Sequence, residues 1–247
     1  MGLTIHYSLK LRKSTSENAV KNKLEQLRQR CLDLPFKEVG EMVEMNTEQI
    51  AASYEDLENP LRWFGIQCSK YVDYHYDIEG NLIPGAAEDR GTYSRGLSPT
   101  RVIGFSAWPG DGSEQANLGL AIYPSTIEIP ADGYKQGGTL KTKLNGWLWS
   151  SFCKTQYAND PKCGGLPNFL RCHLTVIAML DAAKELGFGV GVTDEGDFWE
   201  KRDVKALAAE IGNWDKMIAG FFGAMKDAIA TSGTLAKMFA SAKTPTE

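Results

Sequence analysis

Leu3-Thr4-Ile5-His6-Tyr7-Ser8-Leu9-Lys10-Leu11 alternates apolar and polar residues. A period of two means a strand with one face on a core and the other turned outward. Ser14 followed by Glu17 has the spacing of a capping box, and Val20, Leu24, Leu27 and Cys31 then fall on one face of a helix. After Pro35 a second strand is expected through Val43 and Met45. The chain therefore opens on a β-α-β unit.

Working outward, residues 54–138 are rich in Gly, Pro and aromatic residues. Residues 61–68 read as a strand. Residues 101–108 and 117–123 read as two strands joined by Pro109-Gly110-Asp111-Gly112-Ser113. Residues 80–99 read as an irregular excursion, and Asn145-Gly146 as a hairpin turn between 140–144 and 147–157. Pro167 suits the first turn of a helix that runs to about Leu186 and ends at Gly187. Phe169, His173, Val176, Leu180 and Ala183 trace its buried face, and Arg171, Thr175, Ala178, Ala182 and Glu185 its exposed one. A short strand follows at 190–193. An apolar seam then takes steps of three and four through Val204, Leu207, Ile211, Trp214, Ile218, Phe221 and Met225.

The whole reads as an α+β (or α/β) fold with one mixed β-sheet, helices mainly on one face and a helical C-terminal region. No linker divides the 247 residues, so the expectation is a single domain, or two subdomains sharing a sheet at about 1–138 and 139–247. The 43% hydrophobic and 23% charged residues suffice for a sizeable core. A net charge of −4 leaves no basic footprint for nucleic acid or an anionic membrane. No apolar run reaches the ~18 residues of a membrane span, and residues 1–13 lack the h-region of a signal peptide. The five cysteines are an odd, scattered set, which points to free thiols and a cytoplasmic setting.

The densest chemistry is Asp194-Glu195-Gly196-Asp197-Phe198-Trp199-Glu200-Lys201-Arg202-Asp203. If strands 147–157 and 190–193 form a parallel crossover through the intervening helix, both end at one sheet edge. Asn159-Asp160 then approaches Asp194, Glu195 and Asp197, at the edge where α/β folds bind ligands. Asp160, Asp194 and Asp197 are the candidate ligands of a divalent cation such as Mg²⁺. Asp194, Glu195 and Asp197 are candidate acid–base groups. The competing reading is structural, with Asp197 or Asp203 capping a helix and Lys201 and Arg202 neutralising the acids.

His173 is a second acid–base candidate, although its spacing places it among apolar neighbours, as a satisfied core histidine would be. Cys153, Cys163, Cys172 and His173 lack the compact spacing of a zinc knuckle. Tyr71, Tyr74, His75, Tyr76 and Tyr93 either stack a ligand or anchor irregular chain. His6 shares the polar face of the first strand with Thr4 and Ser8, so it is exposed or lines a groove. Trp147 and Trp149 share one strand face, where packing is the simpler explanation.

The opening Gly2-Leu3-Thr4-Ile5-His6-Tyr7, the segment Asp33-Leu34-Pro35-Phe36-Lys37-Glu38-Val39-Gly40, Trp108-Pro109-Gly110 and the stretch 194–203 resemble a group of uncharacterised bacterial proteins. The resemblance implies a bacterial cytoplasmic setting and one integral unit. It assigns no catalytic residue.

Two functional expectations follow. One is a small-molecule or divalent-metal site at the acidic loop, with hydrolysis as its chemistry. The other is a self-associating interaction module without catalysis, a homo-oligomer built on the apolar seam or the tryptophan face.

Overall fold

The computed structural model describes residues 3–59, 61–88 and 91–211. Trp214, Ile218, Phe221 and Met225 of the expected seam lie outside the described residues. In chain order the elements are β1 (Thr4–Leu11), α1 (Glu17–Leu32), β2 (Glu38–Val39), β3 (Val43–Asn46), α2 (Thr47–Glu55), α3 (Arg62–Gln67), β4 (Lys70–Tyr76), β5 (Leu82–Pro84) and β6 (Tyr93–Leu97). There follow β7 (Arg101–Trp108), β8 (Ala116–Ile122), β9 (Thr126–Ile129), β10 (Gly138–Lys141), β11 (Trp147–Lys154), α4 (Gly165–Glu185), β12 (Gly189–Asp194), α5 (Phe198–Lys201) and α6 (Val204–Ile211).

β1 is the strand that its alternation predicts, and it lies inside the main sheet rather than at its edge. It pairs antiparallel with β11, Thr4 opposite Lys154, and antiparallel with β12, Ile5 opposite Asp194. Ile5, Tyr7 and Leu9 are buried, whereas His6, Ser8 and Lys10 are exposed. The sheet order is β12-β1-β11-β8-β7, with β2 and β3 both pairing with β7, and every neighbouring pair is antiparallel. The fold is α+β. β11 and β12 still run in the same direction, because each is antiparallel to β1, so the expected crossover through α4 steps over one strand instead of joining neighbours.

α1 and α4 pack on each other, and α1 packs on β7. α4 departs from its expected two-faced character, since Thr175, Ala178 and Ala182 are buried along with Phe169, Val176 and Leu180. The cause is enclosure: α1, α6, β12 and the short 3-10 turns at 156–163 all contact this helix. Pro167 lies in its first turn, and Gly187, with φ of +83°, follows its end as expected.

The join between β8 and β11 is in register at one pair, Leu148 opposite Ala121. Side chains meet one carbonyl of β8, Asn117 O, and one just ahead of it, Glu114 O, whose own N–H donates to Lys154 O at 2.9 Å. Asn117 O accepts from Tyr7 Oη at 2.7 Å and from Trp149 Nε1 at 2.9 Å, and Glu114 O accepts from Cys153 Sγ at 3.2 Å. These bonds matter because an orphaned buried carbonyl costs about 1–3 kcal/mol.

α3 sits against this join, its Phe64 ring 5.0 Å from that of Trp149. Residues 61–68 are thus a helix and not the expected strand. A spacing of four buries Phe64 and Cys68 together, and Gly65 lets the helix approach Ser53 of α2.

Three further expectations are corrected. The cap of α1 is Ser16, whose Oγ accepts from Ala19 N, and not Ser14. The excursion at 80–99 contributes β5 and β6 to a three-stranded sheet with β4, on which Tyr74 and Tyr93 stack at 5.6 Å and Lys135 lies 4.5 Å from the Tyr93 ring. Asn145-Gly146 does not close a hairpin between paired strands, because β10 pairs with β9 while β11 pairs with β1 and β8. Among the described residues no helix is long and apolar enough to cross a membrane, and all five cysteines are free.

A side chain at Gly104 would run into Leu118 O and the Phe64 ring. Gly104→Ala is expected to destabilise the protein by about 1–3 kcal/mol through overpacking. Urea denaturation would read this as a lower midpoint at unchanged slope; an unchanged midpoint would contradict the packing described.

Candidate functional site

β12 ends at Asp194, and the chain turns at once into α5. The Asp194 carboxylate closes that turn, Oδ1 accepting from Gly196 N at 2.9 Å and Oδ2 from Trp199 N at 3.0 Å. His173 Nε2 lies 3.2 Å from the same carboxylate, and His173 Nδ1 lies 2.9 Å from Thr155 Oγ1. Thr155 and His173 are fully buried, as is the Asp194 side chain. An ionised carboxylate only accepts, so Nε2 carries a proton and donates it, while the Thr155 hydroxyl meets Nδ1 and also reaches Leu3 O at 3.4 Å. Burial pushes the Asp194 carboxyl upward. The His173 hydrogen bond and charge and the two backbone N–H groups more than offset it, leaving the pKa below the ordinary aspartate value.

Hydroxyl, imidazole and carboxylate in a row are the parts of a nucleophilic triad. Here no substrate can reach them. The row ties the end of β11, the middle of α4 and the end of β12 into one polar contact inside the core. Gly196 keeps the covering loop close, since a Cβ there would lie 2.5 Å from Leu207 and 3.4 Å from His173.

Glu195, Asp197 and Asp203 of the loop, and Asp160, are also engaged locally. Glu195 Oε2 accepts from Thr4 N at 2.8 Å, and Glu195 N donates to Thr4 O at 3.1 Å, which extends the β1–β12 ladder by one residue. Asp197 is exposed and pairs with Lys201 at 2.6 Å. Asp203 caps α6 through Lys205 N and Ala206 N, and Arg202 grips Asp181 with two bonds at 2.7 and 2.9 Å. Asp160 caps the 3-10 turn that precedes α4, accepting from Lys162 N at 2.8 Å. The structure thus joins His173 to Asp194 and does not gather Asp160, Asp194 and Asp197 into one ligand set. Among the described residues no group of three or more His, Cys, Asp or Glu side chains is placed to hold a metal ion.

The accessible chemistry lies on the opposite face of the same strands. Ser8 of β1 stands between Ser150 of β11 and Gly191 of β12, and His6 stands between Phe152 and Thr193. Ser8, Ser150 and Gly191 floor an open groove of about 600 Å³, which His6, Phe152 and Thr193 also line. The segment from the end of α3 to the start of β4 forms another wall, with Gln67, Ser69 and Lys70.

Gln67 is held by the join described above, its Oε1 accepting from Asn117 Nδ2 at 2.8 Å and from Ser151 Oγ at 3.1 Å. His6 and Ser8 are the groove residues that the sequence marked, through their place on the polar face of β1. Ser150, Phe152, Gly191, Gln67 and Lys70 gave no local signal, because the groove exists only once strands distant in sequence stand side by side.

Comparison of the chain with protein-family models, with curated proteins and with solved structures gave no match.

Asp194→Asn puts an NH₂ group against donors that all point at the carboxylate, and should cost on the order of 3 kcal/mol. A carboxyl whose folded pKa is lowered gives stability that is present above its unfolded value of about 3.9 and lost as the pH falls through the folded value. Wild type should therefore lose stability more steeply than Asp194→Asn as the pH falls below about 4. Parallel slopes in urea titrations from neutral pH downward would show that Asp194 is not the linked group.

Proposed function

We propose that the protein binds a small molecule, and that it does so in the groove over β1, β11 and β12 rather than at the acidic loop. The observation that carries this reading is the floor of the groove. Serine and glycine hold mid-strand positions on three adjacent strands, where larger β-branched residues would be the better strand formers. Small side chains there leave room that a ligand would use. Several polar groups and an aromatic ring in one lining match what small-molecule sites need.

The acids at 194–203 support the site from beneath. The Thr155–His173–Asp194 row fixes where β11 and β12 end, and Glu195 fixes the start of β1. Substitution there acts on the groove through strand position. Hydrolysis and divalent-cation binding at the loop have less support, since Asp194, Glu195 and Asp197 are already occupied by backbone N–H groups and a basic side chain.

The test is a metabolite library screened by thermal shift on wild type, Gly191→Val and Asp197→Asn. A ligand at 100 times its dissociation constant adds about 2.7 kcal/mol of stability. That gain should appear in wild type and Asp197→Asn and vanish in Gly191→Val, whose added side chain would crowd Ser8 Oγ, 2.7 Å from a Cβ at 191. Stabilisation that survives Gly191→Val and disappears in Asp197→Asn would return the site to the acidic loop.

A further inference from the structure

The charges that line the groove are unbalanced. Lys70, at the start of β4, is half-buried beside the groove and lowered from the ordinary lysine pKa by that burial. Among the described residues its ammonium has neither a hydrogen bond nor an ion pair, and no aspartate or glutamate lines the groove. A partly desolvated ammonium without a counter-charge is costly to keep unless something neutralises it, and Lys is seldom buried unpaired. The chain as a whole carries −4, so this is a local reversal of sign rather than part of a basic surface.

The nearby polar groups favour the same kind of partner. The Gln67 carboxamide oxygen is taken up by Asn117 and Ser151, which leaves its NH₂ group, without a partner among the described residues, as a donor beside the groove. Ser150 adds a hydroxyl from the floor. His6 and Phe152, in the same lining, hold their rings 5.9 Å apart at a tilt of 40°, aromatic surface suited to an apolar or aromatic portion of a ligand.

We infer that the ligand of this groove is a small organic oxyanion, a carboxylate or phosphate monoester. Its anionic group sits at Lys70, with Gln67 and Ser150 as donors, and its flat apolar portion lies against Phe152 and His6. The inference rests on the binding reading of the same groove and adds to it the sign and place of the ligand's charge.

The experiment is an amide NMR titration of the full chain with benzoate, phenyl phosphate and uncharged benzyl alcohol. Benzoate and phenyl phosphate separate the two oxyanion sources. At least one anion should shift the Ser8, Ser150 and Gly191 amides and bind tenfold or more tightly than benzyl alcohol. Lys70→Gln should weaken the anion at least tenfold and leave benzyl alcohol unchanged, while Lys70→Arg should retain most of the binding. Spectra of the free variants check that the fold is kept. If benzyl alcohol shifts the same amides as strongly as both anions, or Lys70→Gln changes nothing, the charge inference falls and the binding groove stands. If neither anion shifts the groove at millimolar concentration, the inference falls as well, and the library comparison with Gly191→Val decides the binding reading on its own.

Discussion

Unmet backbone groups between β8 and β11 are the constraint on which the rest of the structure depends. Two neighbouring strands in register at one pair leave peptide carbonyls that a continuous ladder would have used, and in a buried sheet those carbonyls must find donors. Tyr7 and Trp149 supply them at Asn117. Both are aromatic residues whose polar tips reach across while their rings fill the space beside the strands. The Asn117 side chain in turn reaches Gln67 at the end of α3. A defect in the sheet therefore determines where α3 docks, and α3 determines where Lys70 begins its strand.

The same strands carry a second polar device on their other side. Thr155, His173 and Asp194 form a row in which every polar side-chain group has a partner, the arrangement that lets polar groups be buried without large cost. Its value lies in specificity of position. Apolar side chains could fill that volume, but they would not dictate which residue of β12 faces which residue of β1. The hydrogen-bonded row fixes the ends of β11 and β12 beneath the groove, so the opposite face can give up bulky strand formers for serine and glycine.

Much of this was legible where the signal is local. The alternation of β1, the three-and-four spacing of α1, and the Pro167 and Gly187 boundaries of α4 each reflect one element meeting one environment. Reading failed where the environment is shared. Thr175, Ala178 and Ala182 are small enough to suit either face of a helix, and only the presence of other elements around α4 buries them. Residues 61–68 are too short a run for periodicity to separate strand from helix. At the acidic loop the residue types were visible but their partners were not: Thr4 for Glu195, Asp181 for Arg202 and His173 for Asp194 all come from other elements. The groove is the extreme case, since its floor takes one residue from each of three strands.

The position of β1 bears on how the chain assembles as well as on what it becomes. Thr4 finds its partner in Lys154, and Ile5 finds Asp194. On the ribosome, a strand with Ile5, Tyr7 and Leu9 on one face emerges long before either neighbour has been made, and an unpaired apolar strand invites pairing with other chains. Closing loops of this length delays the sheet further, because the entropy is lost before the contacts that repay it can form. The helix that follows at once, with Val20, Leu24, Leu27 and Cys31 buried in the finished protein, is the nearest apolar surface to hand. In the nascent chain α1 is thus the available shelter for β1 until its permanent neighbours arrive.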